Sequence, residues 1–110
     1  MAVTPTTKEI ISEVIHDVAE KIGASKAILF GSMARNTHDE RSDVDVVFIK
    51  DTTERFIERP DLAMKLLYEQ IKGRDIDVLI YTPKEFLTMQ EDGNSFIRQI
   101  VKDGVVLYGN

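Results

Sequence analysis

Gly31-Ser32 and, ten residues further on, Asp43-Val44-Asp45 at the head of an apolar run are the residues of this chain whose types and spacing could do chemistry. Side chains alternate across a β-strand, so a strand from residue 43 to 50 turns Asp43 and Asp45 to one face and Val44, Val46 and Phe48 to the other. Two carboxylates held so close repel each other unless a cation sits between them, and an all-oxygen donor set suits Mg²⁺, with Mn²⁺ as the alternative. Two such ions, about 3.5–4 Å apart, would grip a nucleoside triphosphate and stabilise both oxygens of an in-line displacement. The chemistry is metal-assisted nucleotidyl transfer.

A third carboxylate would complete the set, and Arg74-Asp75-Ile76-Asp77-Val78-Leu79-Ile80 offers two on one strand face. Asp77 abuts the apolar run and is the first choice; Asp75, nearer the strand start, is the second. Gly-Ser and Asp-x-Asp at one fixed spacing arise by chance in about one in a thousand chains of this length, taking ordinary residue usage. The competing reading makes the aspartates solvated polar residues at a strand start and Gly31-Ser32 a plain turn. Acid crowding at the entrances of two separate strands argues against it, because uncompensated carboxylates repel.

The elements that must position these groups are legible around them. Ala27-Ile28-Leu29-Phe30 reads as a short buried strand stopped by Gly31, with Ser32 capping a brief helix whose N-terminus would suit an anion. Arg35, one turn into that helix, is close enough to reach a phosphate, and a merely solvated arginine is the equal alternative, since exposed arginine is common. Lys50, Lys72 and Arg74 could line the same mouth, and His38 falls in the spacer, where a polar loop role outweighs a role at the triphosphate.

Around this centre the order reads helix, strand, strand, helix, strand, helix, helix, strand, an α/β layer pattern. Residues 8–22 form an amphipathic helix with Thr6 and Glu9 in capping-box spacing and Gly23 at its end. A second helix, residues 61–72, follows Pro60, turns Leu62, Leu66, Leu67 and Ile71 to the core and stops at Gly73. Thr82, Pro83 and Glu85 start a third. Residues 95–102 form a fourth after the Asp92-Gly93-Asn94 break, and residues 105–108 an edge strand. The charged stretch 51–59 lacks periodicity and reads as a surface loop.

Gly31-Ser32 with Asp43 and Asp45, Ala34-Arg35 behind the Gly-Ser, and Asp77-Val78-Leu79 resemble the stand-alone minimal nucleotidyltransferases of the DNA polymerase β superfamily, over roughly residues 25–108. The resemblance implies an α/β nucleotidyltransferase fold, a small mixed β-sheet packed against helices. It also implies divalent metal on Asp43 and Asp45, Asp77 as third ligand or as base for the attacking hydroxyl, and the triphosphate of ATP on Gly31 and Ser32. Many such proteins are encoded beside a small helical HEPN toxin and act as antitoxins, some by moving AMP onto a toxin tyrosine. A HEPN-type protein is thus the implied partner. The chain departs from the pattern at Met33, where many members carry Arg, and at Asn36, where Gly is common.

Length and composition fit one domain spanning residues 1–110: 43% hydrophobic, 30% charged, no cysteine. Absent thiols leave oxygen ligands for any metal and fit a reducing cytoplasm. No apolar stretch reaches the roughly 20 residues a bilayer span needs, and residues 1–8 lack the basic-then-apolar order of a signal peptide. A net charge of −5 argues against charge-driven nucleic-acid binding. Two other functions fit less of the sequence: a binding module that neutralises a partner by covering it, and a small-molecule nucleotidyltransferase, for which the chain lacks the usual second domain. So small a domain encloses both substrates only with a partner or a second copy, and Phe56, Met64 and Phe96 are the apolar contact candidates.

Overall fold

The computed structural model describes residues 6–39 and 41–110; the first five positions of the segment examined for a signal peptide lie outside them. Helix α1 (Thr7–Ile22) leads into strand β1 (Lys26–Phe30), a single-turn helix α2 (Gly31–Ala34) and strand β2 (Val44–Ile49). A 3-10 turn at Phe56–Glu58 precedes α3 (Pro60–Gln70); β3 (Ile76–Tyr81), α4 (Pro83–Glu91), α5 (Ser95–Asp103) and β4 (Val105–Tyr108) follow. The element order is the one the sequence implies, and the sheet is mixed, in the order β3-β2-β1-β4. β1 runs antiparallel to β2 and β4, while β2 and β3 are parallel and joined through α3.

The caps explain where the helices begin. Thr6 Oγ1 accepts from the Glu9 amide, and Gly23 ends α1 in the left-handed region at φ 75°. At α4, Thr82 and Glu85 form the full reciprocal box behind Pro83. Ser32 does not cap α2: the helix begins one residue earlier at Gly31, and its N-cap position, Phe30, has no side chain able to accept.

Alternation sorts the sheet into two faces. Val44, Val46 and Phe48 join Ala27, Leu29 and Ile80 beneath α1 and α3, whereas Ile28, Val47 and Ile49 pack with Ile97 and Ile100 of α5. Helix α3 presents Ala63, Leu67 and Ile71 to the core, with Leu66 and Met64 partly covered. Leu62 is 53% exposed, contrary to the expectation, because the small Ala63 takes the inward position at i, i+4 spacing from Leu67. Met64, a contact candidate, is likewise spent on the core. The helix also ends at Gln70 rather than running to residue 72, with Ile71 extended.

The 51–59 segment is more than a surface loop. Its last residue, Arg59, has a side chain only 9% exposed. That guanidinium donates to the carbonyl oxygens of Glu54 (3.0 Å) and Ile80 (3.2 Å), and to Glu85 at 2.6 Å, clipping the segment to β3 and α4. Among the described residues no helix is long and apolar enough to cross a membrane.

Candidate active site

Three chain segments meet at one end of the sheet because of strand direction alone. β1 arrives antiparallel to β2, so its last residue, Phe30, pairs with Asp45 near the first of β2. β3 starts beside β2 in parallel, and Asp45 pairs with Asp77. One row across the sheet therefore reads Asp77, Asp45, Phe30, on the face that α4 and α5 cover only further along. The strands themselves start at Val44 and Ile76, one residue inside Asp43 and Asp75. Asp43 is exposed beside Asp45, and Asp75 uses its carbonyl to accept the Val44 amide at 2.9 Å, locking the two strand starts together.

The electrostatics of Asp45 record the crowding. Burial first, then a hydrogen bond with the Asp77 carboxyl and the negative charges of Asp77 and Asp43, push the Asp45 carboxyl up to about 6, against the opposing pull of Arg35. Gly31 closes the site from above. It stands at φ 74°, and a Cβ built on it would run into the Asp45 carboxylate, so glycine is required there for both backbone and space.

A partly desolvated carboxylate crowded by two other acids belongs to a donor set that a hard divalent cation would relieve, and carboxylate oxygens suit Mg²⁺ or Mn²⁺. Among the described residues no three His, Cys, Asp or Glu side chains are closed around a point at metal-ligating spacing. Asp45 and Asp77 stand side by side in register, with Asp43 exposed alongside.

The spacer that carries the chain from Gly31 to Asp43 is tied down at both ends. Lys8 of α1 donates to the Ala34 carbonyl (3.3 Å) and to Asn36 Oδ1 (2.9 Å). Arg74 donates to the carbonyl oxygens of Asp39 and Ser42, each at 2.9 Å. Asp39 itself turns the loop by accepting from the Arg41 amide, with Ser42 Oγ donating to it. Those bonds, the Arg41 amide foremost, hold its carboxyl below the usual range.

Both departures from the family pattern find a physical account here. Asn36 lies at φ 59°, a left-handed position that asparagine tolerates better than other non-glycine residues. Met33 is fully buried, so the position where an arginine is common belongs to the core in this chain. Arg35 remains as the cation whose charge acts on Asp45.

The other basic residues lie elsewhere. Arg74 is consumed by the spacer, Lys72 donates to the Tyr68 carbonyl, and Lys50 stands at the far end of β2 beside Arg59 and Glu54. His38 Nδ1 is buried and finds no hydrogen-bond partner among the described residues. His16 meets only Asp17 and the edge of the Tyr108 ring. The sequence reading missed the spacer clamp and the Arg59 clip, because most of their partners are backbone carbonyl oxygens, which leave no mark in a residue pattern, and Glu85 and Asn36 lie 26 and 28 residues from their partners.

Known proteins of similar sequence and fold place the chain in a family. The chain matches the family described as "Polymerase beta, Nucleotidyltransferase" over residues 12–110. It is 35% identical over 83 residues to "Putative protein adenylyltransferase MJ0604" of Methanocaldococcus jannaschii, covering 76% of this chain and 77% of that one. A second protein of the same organism, "Putative protein adenylyltransferase MJ0435", is 34% identical over 61 residues, 56% of this chain and 63% of the other. Among solved structures, one described as a toxin-antitoxin with AMP-PNP superposes with TM-score 0.66 at 23% identity, over 90% of this chain and 73% of that one. A nucleotidyltransferase structure from Sulfolobus solfataricus superposes with TM-score 0.53 at 20% identity, over 90% and 77%. On its sequence match and on the arrangement of its sheet, the chain belongs to the polymerase β nucleotidyltransferase family.

Proposed function

We propose that this protein transfers AMP from ATP to a hydroxyl on a protein acceptor, with Asp43, Asp45 and Asp77 holding Mg²⁺ and Gly31, Ser32 and Arg35 receiving the triphosphate. The observation that carries the reading is the pairing of Asp45 with Asp77 in register, with Gly31 packed on the Asp45 carboxylate. In the transfer the acceptor oxygen bonds to the α-phosphorus, the bond from that phosphorus to the pyrophosphate oxygen breaks, and the hydroxyl proton leaves to a base. Asp77 takes that proton or completes the metal's donor set. Bound divalent metal would offset the negative charge that gathers on the phosphoryl and leaving oxygens. Arg35 adds a positive charge on the same side, and the pre-set strand row supplies alignment without further reorganisation.

A protein acceptor is supported by the names of the two archaeal relatives, each called a "Putative protein adenylyltransferase". We take the acceptor to be a tyrosine of a HEPN-type toxin, which would make this chain an antitoxin. The toxin-antitoxin neighbour, similar in fold, is in keeping with that. Phe56, 44% exposed, offers aromatic surface to such a partner.

The direct trial incubates the full chain with a candidate HEPN-type toxin, radiolabelled ATP and Mg²⁺. Label should move to the partner from α-labelled but not γ-labelled ATP, and Asp43→Asn should abolish it. Partner neutralisation that persists undiminished in Asp43→Asn would replace transfer with steric masking.

A further inference from the structure

Next to Gly31, on the side of Asp45 away from Asp77, lies a cleft of about 180 Å³ lined by Phe30, Gly31, Arg35, Phe96, Gln99 and Asp103. It shares a wall with the acid cluster. Gly31 touches both, and Phe30 is the next residue after Asp77 and Asp45 in the row across the sheet. The Phe30 and Phe96 rings meet edge to face, centroids 5.7 Å apart and planes at 86°. Phe96 remains 43% exposed although Ile97 beside it and Ile100 are buried, so one aromatic flank stays open. Gln99 and Asp103, following Phe96 along one side of α5 at i+3 and i+7, hydrogen bond to each other at the rim.

We propose that this cleft takes the base of the transferred nucleotide, an adenine lying flat on Phe96 with its exocyclic amine toward the Asp103 carboxylate. The inference rests on the reading that the acid cluster binds a nucleoside triphosphate. Gly31 and Arg35 form the wall shared with the triphosphate, and the remaining groups, Phe30, Phe96, Gln99 and Asp103, select for a base. The carboxylate and the aromatic rings are poor hosts for phosphate, while a ring flanked by aromatics gains stacking energy and an amine satisfies the acid. An acceptor hydroxyl has to reach the opposite side, beside Asp77, leaving this side to the nucleotide. Uracil, with no amine to donate, would set its carbonyl oxygens against Asp103.

Calorimetry on the full chain with Mg²⁺ separates this inference from the reading beneath it. The titrants are a non-hydrolysable ATP analogue, inorganic tripolyphosphate and UTP. Phe96→Ala should weaken the ATP analogue by about tenfold, on the scale of one base stacked on an aromatic ring. Tripolyphosphate affinity should stay the same. Asp103→Asn, whose rim position leaves the core untouched, should narrow the preference for the ATP analogue over UTP. Equal effects on the ATP analogue and tripolyphosphate, or no effect of either substitution, would overturn the cleft while leaving the phosphate and metal site standing. Failure of both the ATP analogue and tripolyphosphate to bind the unmodified chain would overturn the reading beneath, and the cleft with it.

Discussion

Asp45 and Asp77 pair in register on adjacent parallel strands, at the one end of the sheet where β1 also finishes, and the Asp77 carboxylate helps to raise the Asp45 carboxyl above its ordinary value. Proteins rarely place two acids so close without a use for the strain, and the use argued here is to hold a cation and a nucleotide.

That strain has a sign. Asp45 holds its proton more tightly when folded, with a pKa of about 6 against 3.8 for the ordinary side chain. The metal-free fold therefore binds more protons than the unfolded chain between those values. The contribution is fully present below about pH 4 and is lost as pH rises through 6. Asp45→Asn should consequently raise the melting temperature of the metal-free protein at pH 7.5 by about 5 °C. Mg²⁺ should stabilise the unmodified chain and not the variant. Thermal denaturation against pH, with and without Mg²⁺, reads both effects.

Gly31→Ala should cost about 100-fold or more in transfer, because the added methyl displaces the Asp45 carboxylate and shifts a group that must be set to a fraction of an ångström. The left-handed backbone adds about 1 kcal/mol of instability. Single-turnover rates beside a denaturant titration distinguish a loss of chemistry from a loss of fold.

Arg74 is a positioning residue. Arg74→Met removes two hydrogen bonds to the carbonyls just ahead of Asp43 and should lower kcat about tenfold. KM for ATP should change less, since Gly31 and Arg35 are untouched. A matching rise in KM with kcat unchanged would place Arg74 in ground-state binding.

The Arg59–Glu85 pair lies at the far end of the sheet and should matter for stability alone. Arg59 holds the Glu85 carboxyl below its ordinary value, so this contribution is present above about pH 4.5 and fades as pH falls through the lowered value. Arg59→Met should cost about 2 kcal/mol, less than a fully buried pair because Glu85 is partly solvated. Urea unfolding at neutral pH, paired with an ATP-binding titration that should be unchanged, checks the division.

Much of this was readable from residues because the signals are local. Thr82-Pro83-Glu85, Thr6 with Glu9 and the alternation of residues 43–50 carry their own geometry, and strand parity alone put Asp43, Asp45 and Asp77 on common faces. The pairing of Asp45 with Asp77 needs strand order and direction, which no single segment encodes. Ala63 turning inward ahead of Leu62 depends on how closely α3 can approach the core. Phe96 was one of several scattered aromatics; only the packing of α5 against β1 brings it to Gly31. Ser32 suited a cap by type, yet the helix starts a residue sooner, at Gly31, with Phe30 in the N-cap position.

The central claim is that Asp45 and Asp77 jointly hold a divalent cation together with the nucleotide. Mn²⁺ binding followed by electron paramagnetic resonance, in the presence of a non-hydrolysable ATP analogue, tests it most directly. The account predicts tightly bound Mn²⁺ in the unmodified chain and loss of at least tenfold in affinity in Asp45→Asn and in Asp77→Asn. Full Mn²⁺ affinity in the doubly substituted chain, or none in the unmodified one, would contradict it.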